Sequence, residues 1–241
     1  MPARFDRFED PRRAFLIRAL AAGVFAAGGP FARAAGPLGD VPERLPAGRS
    51  VYRLGGFVTV NGNAASEQTR IAPTDRIETG PDGHLIFAVG DDAFLVRRSS
   101  NLQLEPDAGG TVTRSLRLLT GALLSVFGAR EHQISTPVAT IGIRGTGLYV
   151  ESTPEESYVC TCYGETMLAA VDDPSVREDI ATTHHDAPRY ILAAGASGER
   201  IRQAPFKNHT DEELQLLEAL VGRTPPFVFG DAYDRPRRRD Y

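Results

Sequence analysis

Phe57-Val58-Thr59-Val60-Asn61-Gly62 is the stretch that decides how this chain is read. A short β-branched run ending in Asn-Gly is the strongest short-range hairpin signal, because both turn residues accept the positive φ angles of a tight type I′ turn. The same grammar repeats outward. Gly80-Pro81-Asp82-Gly83 precedes His84-Leu85-Ile86-Phe87-Ala88-Val89, and Gly90-Asp91-Asp92 precedes Ala93-Phe94-Leu95-Val96. Turn signals return roughly every 8–12 residues across 51–163, with no 3.6-residue apolar period between them. That spacing leaves no room for helical crossovers between parallel strands. It predicts an all-β sandwich or roll of many short strands.

Composition sets the outer bounds. The chain has 241 residues, 24% charged and 41% hydrophobic, which suits one sizeable globular domain or two small ones. Its positive charge is almost entirely guanidinium, with 26 Arg against the single Lys207, and the net charge is −4. A nucleic-acid binder needs a basic excess to neutralise phosphate, so that partner class is set aside. Two Cys cannot staple a small scaffold. No apolar run reaches the ~18–20 residues of a membrane span.

The N-terminus reads as an address. Pro11-Arg12-Arg13-Ala14-Phe15-Leu16-Ile17-Arg18 resembles the twin-arginine export motif, a mildly apolar stretch runs from Ala19 to Phe31, and Ala32-Arg33-Ala34 is a small-x-small cleavage pattern. Residues 1–34 are therefore expected to be a signal peptide cut near Ala34. Its removal takes away six Arg and three acidic residues, leaving an acidic periplasmic protein. The resemblance to this signal implies folding before export, a route compatible with a cofactor loaded in the cytoplasm.

Four segments in order carry a second resemblance. Gly56-Phe57-Val58-Thr59-Val60-Asn61-Gly62, then Asp75-Arg76-Ile77-Glu78-Thr79-Gly80, then Gly121-Ala122-Leu123-Leu124, and finally Ser135-Thr136-Pro137-Val138-Ala139-Thr140-Ile141-Gly142-Ile143-Arg144-Gly145-Thr146 together resemble the FecR domain. That family is a periplasmic all-β module named after a regulator of ferric citrate uptake. The resemblance spans about residues 50–152 and implies a β-sandwich or β-roll over 50–155. A FecR-type regulator also has a cytoplasmic helical domain and a membrane span, whereas eleven residues precede Arg12 here. No direct sigma-factor contact is expected, because so short an arm cannot fold into a domain.

Arg144-Gly145-Thr146 is the most distinctive element of that resemblance. Read physically, Gly142, Gly145 and Gly147 around a β-branched strand suggest a bulge or close backbone approach. Arg144, in an apolar run, is expected to be half-buried, with its five donors capping carbonyls of nearby turns.

Chemistry concentrates in a stretch expected to be a β extension over 156–205. In Ser157-Tyr158-Val159-Cys160-Thr161-Cys162-Tyr163-Gly164, strand alternation puts Tyr158, Cys160 and Cys162 on one face. Two thiolates on one face suit a metal with ~2.3 Å bonds to sulfur. His184-His185 follows, ahead of Asp186-Ala187-Pro188, and completes a two-sulfur, two-nitrogen set of Cys160, Cys162, His184 and His185. Adjacent strand residues face opposite ways, so both histidines serve one ion only if a turn reorients one of them. Asp186 is a candidate acceptor for a ring N–H. Zinc is the default ion and copper(I) the alternative. A disulfide or redox pair and a plain buried thiol pair stay open beside the metal site.

Thr210-Asp211-Glu212-Glu213 is a capping box. Leu214, Leu217, Leu220 and Val221 share a helix face, and Gly222 stops it. So short a helix must pack onto the β body. His209, one residue before the cap, reads as a surface residue that could add a ligand. The segment 206–241 thus comprises this helix and an Arg-rich tail expected to be solvated. No catalytic template is present: there is no nucleophile elbow and no His-Glu-x-x-His. Three functions follow as expectations. One is a non-enzymatic periplasmic binding or sensory module that meets an envelope ligand or protein. The second is a redox or metallo-enzyme using the Cys pair. The third is a glycan-binding envelope protein, disfavoured by the lack of Trp. Replacing Arg12 and Arg13 with Lys should trap the uncleaved precursor in the cytoplasm, as seen by fractionation and mass; an unchanged periplasmic yield would exclude the route.

Overall fold

The Asn61-Gly62 turn is the type I′ hairpin its sequence calls for, with φ of 51° and 77° at the two residues. The computed structural model describes residues 42–110, 113–195 and 198–227. Arg12, Arg13, the cleavage region and the Arg-rich tail lie outside the described residues. A boundary between Glu43 and Arg44 separates two units, and everything from Arg44 onward belongs to the second. Its described residues form fourteen strands and one helix. In chain order these are β1 (Val51–Gly55), β2 (Val58–Val60), β3 (Asn63–Ala64), β4 (Arg76–Thr79), β5 (His84–Val89), β6 (Asp92–Val96) and β7 (Asn101–Pro106). They continue as β8 (Thr113–Val126), β9 (Glu131–Ser135), β10 (Ala139–Ser152), β11 (Glu156–Ala170), β12 (Arg177–Thr182), β13 (Arg189–Leu192), β14 (Ile201–Gln203) and helix α1 (Asp211–Leu220).

All fourteen strands belong to one sheet that is not closed into a barrel. The architecture is all-β with a short C-terminal helix, as the turn spacing predicts. Pairing is antiparallel except for a short parallel register of β8 with β9, Ser115 opposite Gln133. β11 pairs with β10 from Ser157 opposite Ser152 to Ala170 opposite Ala139. The stretch expected to be an extension therefore begins inside the main sheet. Alternation along the strands buries Leu102 and Leu104 of β7, Leu116 and Leu118 of β8, Ile134 of β9, and Ile141 of β10. Phe87 stacks on Phe94 at 4.9 Å, and Phe127 meets Phe94 edge-on at 5.8 Å.

Three strands are too long for a flat sheet, and each changes neighbours part-way. β8 leaves β7 after Thr120 and pairs with β10 from Gly121 and with β6 from Leu123. β10 leaves β9 at Arg144 and joins β8 at Gly147. β11 pairs on its outer edge with β13 over Glu156–Val159 and with β12 from Gly164. Gly121 and Gly164 both sit at φ +90° at these changes. A Cβ on Gly121 would lie 2.2 Å from Ser100 Oγ, and one on Gly164 would lie 2.7 Å from the Gly145 carbonyl oxygen.

The register slip between Arg144 and Gly147 is the bulge expected there. Arg144 itself is exposed, which corrects the expectation of a half-buried residue capping carbonyls. Plain alternation explains it: Ile141 and Ile143 point inward, so Arg144 points out. Thr146 holds the turn instead, its buried hydroxyl lying 2.8 Å from the Arg144 carbonyl and 3.0 Å from that of Glu165.

Helix α1 has its capping box: the Thr210 side chain accepts from Glu213 N, and the Glu213 carboxylate accepts from Thr210 N. Leu214, Leu217, Leu220 and Val221 are buried, and the helix packs on β6 and β8. Among the described residues no helix is long and apolar enough to cross a membrane. The bends set the most sensitive backbone positions. Gly121→Ala should cost about 3 kcal/mol or more, from strain plus overpacking. Gly90→Ala, at φ 63° with open space around it, should cost only about 1–2 kcal/mol. Urea denaturation of both variants checks the difference.

Candidate metal centre

The change of partner on the outer edge of β11 leaves residues 160–163 with neither β13 nor β12 alongside. The register against β10 also slips here, between Gly147 and Leu148, so Cys162 is the extra residue of a bulge. Buried backbone groups need partners. The loop between β12 and β13 supplies one, with His185 N donating to the Cys162 carbonyl at 2.9 Å. To make this approach His185 takes φ 51°, a left-handed conformation that His tolerates better than most residues. Asp186 caps the same turn, accepting from the Thr182 hydroxyl at 2.8 Å.

The second cover is the segment leading into α1. Tyr158 donates its hydroxyl to the Pro205 carbonyl at 3.0 Å. Glu151 accepts from Asn208 Nδ2 at 2.6 Å and pairs with Lys207 at 2.9 Å. Arg97 reaches the Asn208 carbonyl at 2.8 Å and the Glu213 carboxylate at 3.0 Å. Asn208, at φ 62°, turns the chain so that His209 faces inward and stacks on Tyr149 at 4.5 Å. His209 is 1% exposed, which corrects its reading as a surface residue.

Cys160, Cys162, His185 and His209 therefore converge, with one ligating atom from each lying within 4.8 Å of the others. All four are buried. His209 Nδ1 lies 2.7 Å from the Lys207 carbonyl, and His185 Nε2 lies 2.8 Å from Asp211 Oδ1. Those oxygens only accept, so each of these nitrogens carries a hydrogen. The remaining nitrogens, His209 Nε2 and His185 Nδ1, face one another at 3.1 Å, and Cys160 Sγ is 3.5 Å from His185 Nδ1. Two bare imidazole nitrogens cannot sit so close without a proton or a cation between them.

His184 stands on the far side of the carboxylate. Its Nε2 is 2.9 Å from Asp211 Oδ2, and its side chain is 28% exposed. The structure thus brings together three of the four residues expected from sequence, with His209 rather than His184 alongside them. Asp211, the first residue of α1, takes the role expected of Asp186. His209 and Asp211 share one signal, their place either side of the Thr210 cap. A cap fixes the direction of its flanking side chains. What no local pattern gives is that this cap docks on β11.

Charge follows the same geometry. Burial pushes the Cys162 thiol up, and the neighbouring Cys160 adds to this. Burial also acts against the Cys160 thiolate, but Cys162 and the two imidazoles outweigh it and bring Cys160 well below the usual thiol range. For His185, burial favours the neutral ring, while Asp211 and Cys160 raise its pKa to about 9.

No family model matches the chain, and no curated protein matches it. Two crystal structures of a proposed anti-sigma factor from Parabacteroides distasonis ATCC 8503 are similar, each with a TM-score of 0.44 and 9% sequence identity. The match covers 58% of this chain and 62% of that one, so this chain spans less than two thirds of that protein's length.

The opposed shifts of Cys160 and His185 predict a pH signature in metal-free protein. Between pH 6.5 and about 9, folding charges His185, which makes stability fall as pH rises. It also ionises Cys160, which makes stability rise over the same window. The two slopes oppose one another in the wild type. Cys160→Ser removes the Cys160 slope together with that sulfur's share of the His185 shift, so only the decline imposed by Asp211 remains, and stability should fall as pH rises across that window in urea melts with chelator present.

Proposed function

We propose that the chain is an exported, non-catalytic FecR-like β module in which Cys160, Cys162, His185 and His209 hold one zinc ion. The observation that carries the metal assignment is the spacing of the donors. Tetrahedral zinc, with bonds of about 2.0–2.1 Å to nitrogen and 2.3 Å to sulfur, separates two nitrogens by about 3.3 Å and a nitrogen from a sulfur by about 3.6 Å. The corresponding distances are 3.1 Å and 3.5 Å. Each imidazole already donates its other N–H to an oxygen, the arrangement that orients histidine ligands. Two thiolates neutralise a divalent ion, which makes the burial of the whole group affordable.

Four protein ligands close the shell, leaving no position for water or substrate, so the role is structural. The ion would tie β11, the loop of residues 183–188 and the approach to α1 into one piece. Zinc suits mixed sulfur and imidazole ligation, and copper(I) is the competitor because thiolates are soft. The order of the four FecR-like segments supports the family reading, and Arg12-Arg13 supports export to the periplasm. The β surface would then meet an envelope ligand or protein.

Elemental analysis of protein folded in the cytoplasm should find one zinc per chain. Cys160→Ser and His209→Ala should lose it, whereas His184→Ala should keep it. Chelation should lower Tm, and loaded protein should lose stability as pH falls, because bound thiolate and imidazole must be proton-free. A metal-free wild type with an unchanged Tm would overturn the assignment.

A further inference from the structure

Cys160 and Cys162 are more than two ligands, because they occupy successive same-side positions of one strand. Such residues lie about 6.6–6.8 Å apart at Cα in a regular strand, at the upper limit of about 6.8 Å for a disulfide. β11 is not regular here, since Cys162 is the extra residue of a bulge and the strand bends at that point. The two sulfurs already lie within 4.8 Å of each other. Cys160 Sγ sits 3.5 Å from His185 Nδ1. Among the described residues these are the protein's two free thiols.

We propose that Cys160 and Cys162 form an oxidation site, at which hydrogen peroxide converts the pair into a disulfide and expels the zinc ion. This rests on the metal reading above. In the first step the Cys160 sulfur attacks one peroxide oxygen. The O–O bond breaks, hydroxide leaves and is neutralised by a proton from the buffer to give the first water, and Cys160 becomes a sulfenic acid. In the second step the Cys162 sulfur attacks the Cys160 sulfur. The S–O bond breaks, a second hydroxide leaves and is protonated, and the S–S bond forms. Two thiolates, one peroxide and two protons give one disulfide and two waters, so peroxide takes up the two electrons the sulfurs lose. A disulfide cannot serve as two thiolate ligands, and zinc departs as the hydrated ion.

Two features of the fold shape this reaction. His185, which contacts Cys160, is next to the part-exposed His184, so the 183–188 loop links the buried sulfur to the surface over two adjacent residues. Closing a ring through the single intervening residue Thr161 leaves little room for relaxed disulfide geometry, so the bond is readily reduced and a dithiol reductant returns the site to its metal-binding form.

The test uses the zinc-loaded full chain, treated with hydrogen peroxide and followed by a chromogenic zinc chelator, intact mass and thiol alkylation. The expected result is release of one zinc per chain together with loss of two hydrogens and of both alkylatable thiols. Dithiothreitol followed by zinc should restore all three. In Cys162→Ser the first step has no resolving thiol, and dimedone should trap Cys160 as its sulfenic acid. Zinc present at the start but retained with both thiols intact would overturn this inference and leave the metal reading standing. Release with sulfinic acids in place of a disulfide would overturn it equally. Absence of zinc at the outset would overturn the metal reading, and the inference with it.

Discussion

Four residues of β11, 160–163, lie in a gap between two outer neighbours, and much of the C-terminal third of the chain is arranged around that gap. β13 ends its pairing at Val159 and β12 begins at Gly164. A buried strand edge left open would strand its amide and carbonyl groups, at a cost of about 1–3 kcal/mol for each. The fold closes the gap with irregular chain. The 183–188 loop bonds to the Cys162 carbonyl, and residues 205–209 cover the side chains that project from the same face. Irregular backbone turns His185 and His209 toward the two cysteines of β11.

The cover is held by charge as well as by packing. Arg97 of the β6–β7 connection and Glu151 of β10 are part-buried; Glu151 grips the segment before α1 at Lys207 and Asn208, and Arg97 holds both the Asn208 carbonyl and Glu213 of α1. Breaking one partner of such a buried pair is costly, so the segment has one defined path. That path delivers His209 to Tyr149 and Asp211 to His185.

Much of this architecture was legible in the sequence, because the signals concerned are local. Asn61-Gly62 specifies its turn through backbone sterics alone, and Thr210 with Glu213 specifies a helix start through two reciprocal hydrogen bonds. The pairing of Cys160 with Cys162 on one face follows from strand alternation. Arg144 was misjudged because its apolar neighbours suggested burial, although the period of two through Ile141 and Ile143 already pointed it outward. His209 and Asp211 were the illegible members of the site. Nothing within ten residues of either says that the start of α1 lies against a strand forty-nine positions earlier in the chain than His209. Asp186 looked the better carboxylate because it was adjacent, and adjacency spent it on its own turn.

The sheet is open, and an open sheet presents rows of unpaired amides and carbonyls to other molecules. β3 is two residues long, β14 reads Ile201-Arg202-Gln203 with its last two residues exposed, and β12 starts Arg177-Glu178-Asp179. Each is short or charged where a second copy would have to add a strand. The same fourteen-stranded sheet thus carries, at three of its margins, the features that keep open sheets from joining edge to edge. Limiting strand addition between copies is a condition for a sheet with open edges to stay dispersed at high concentration.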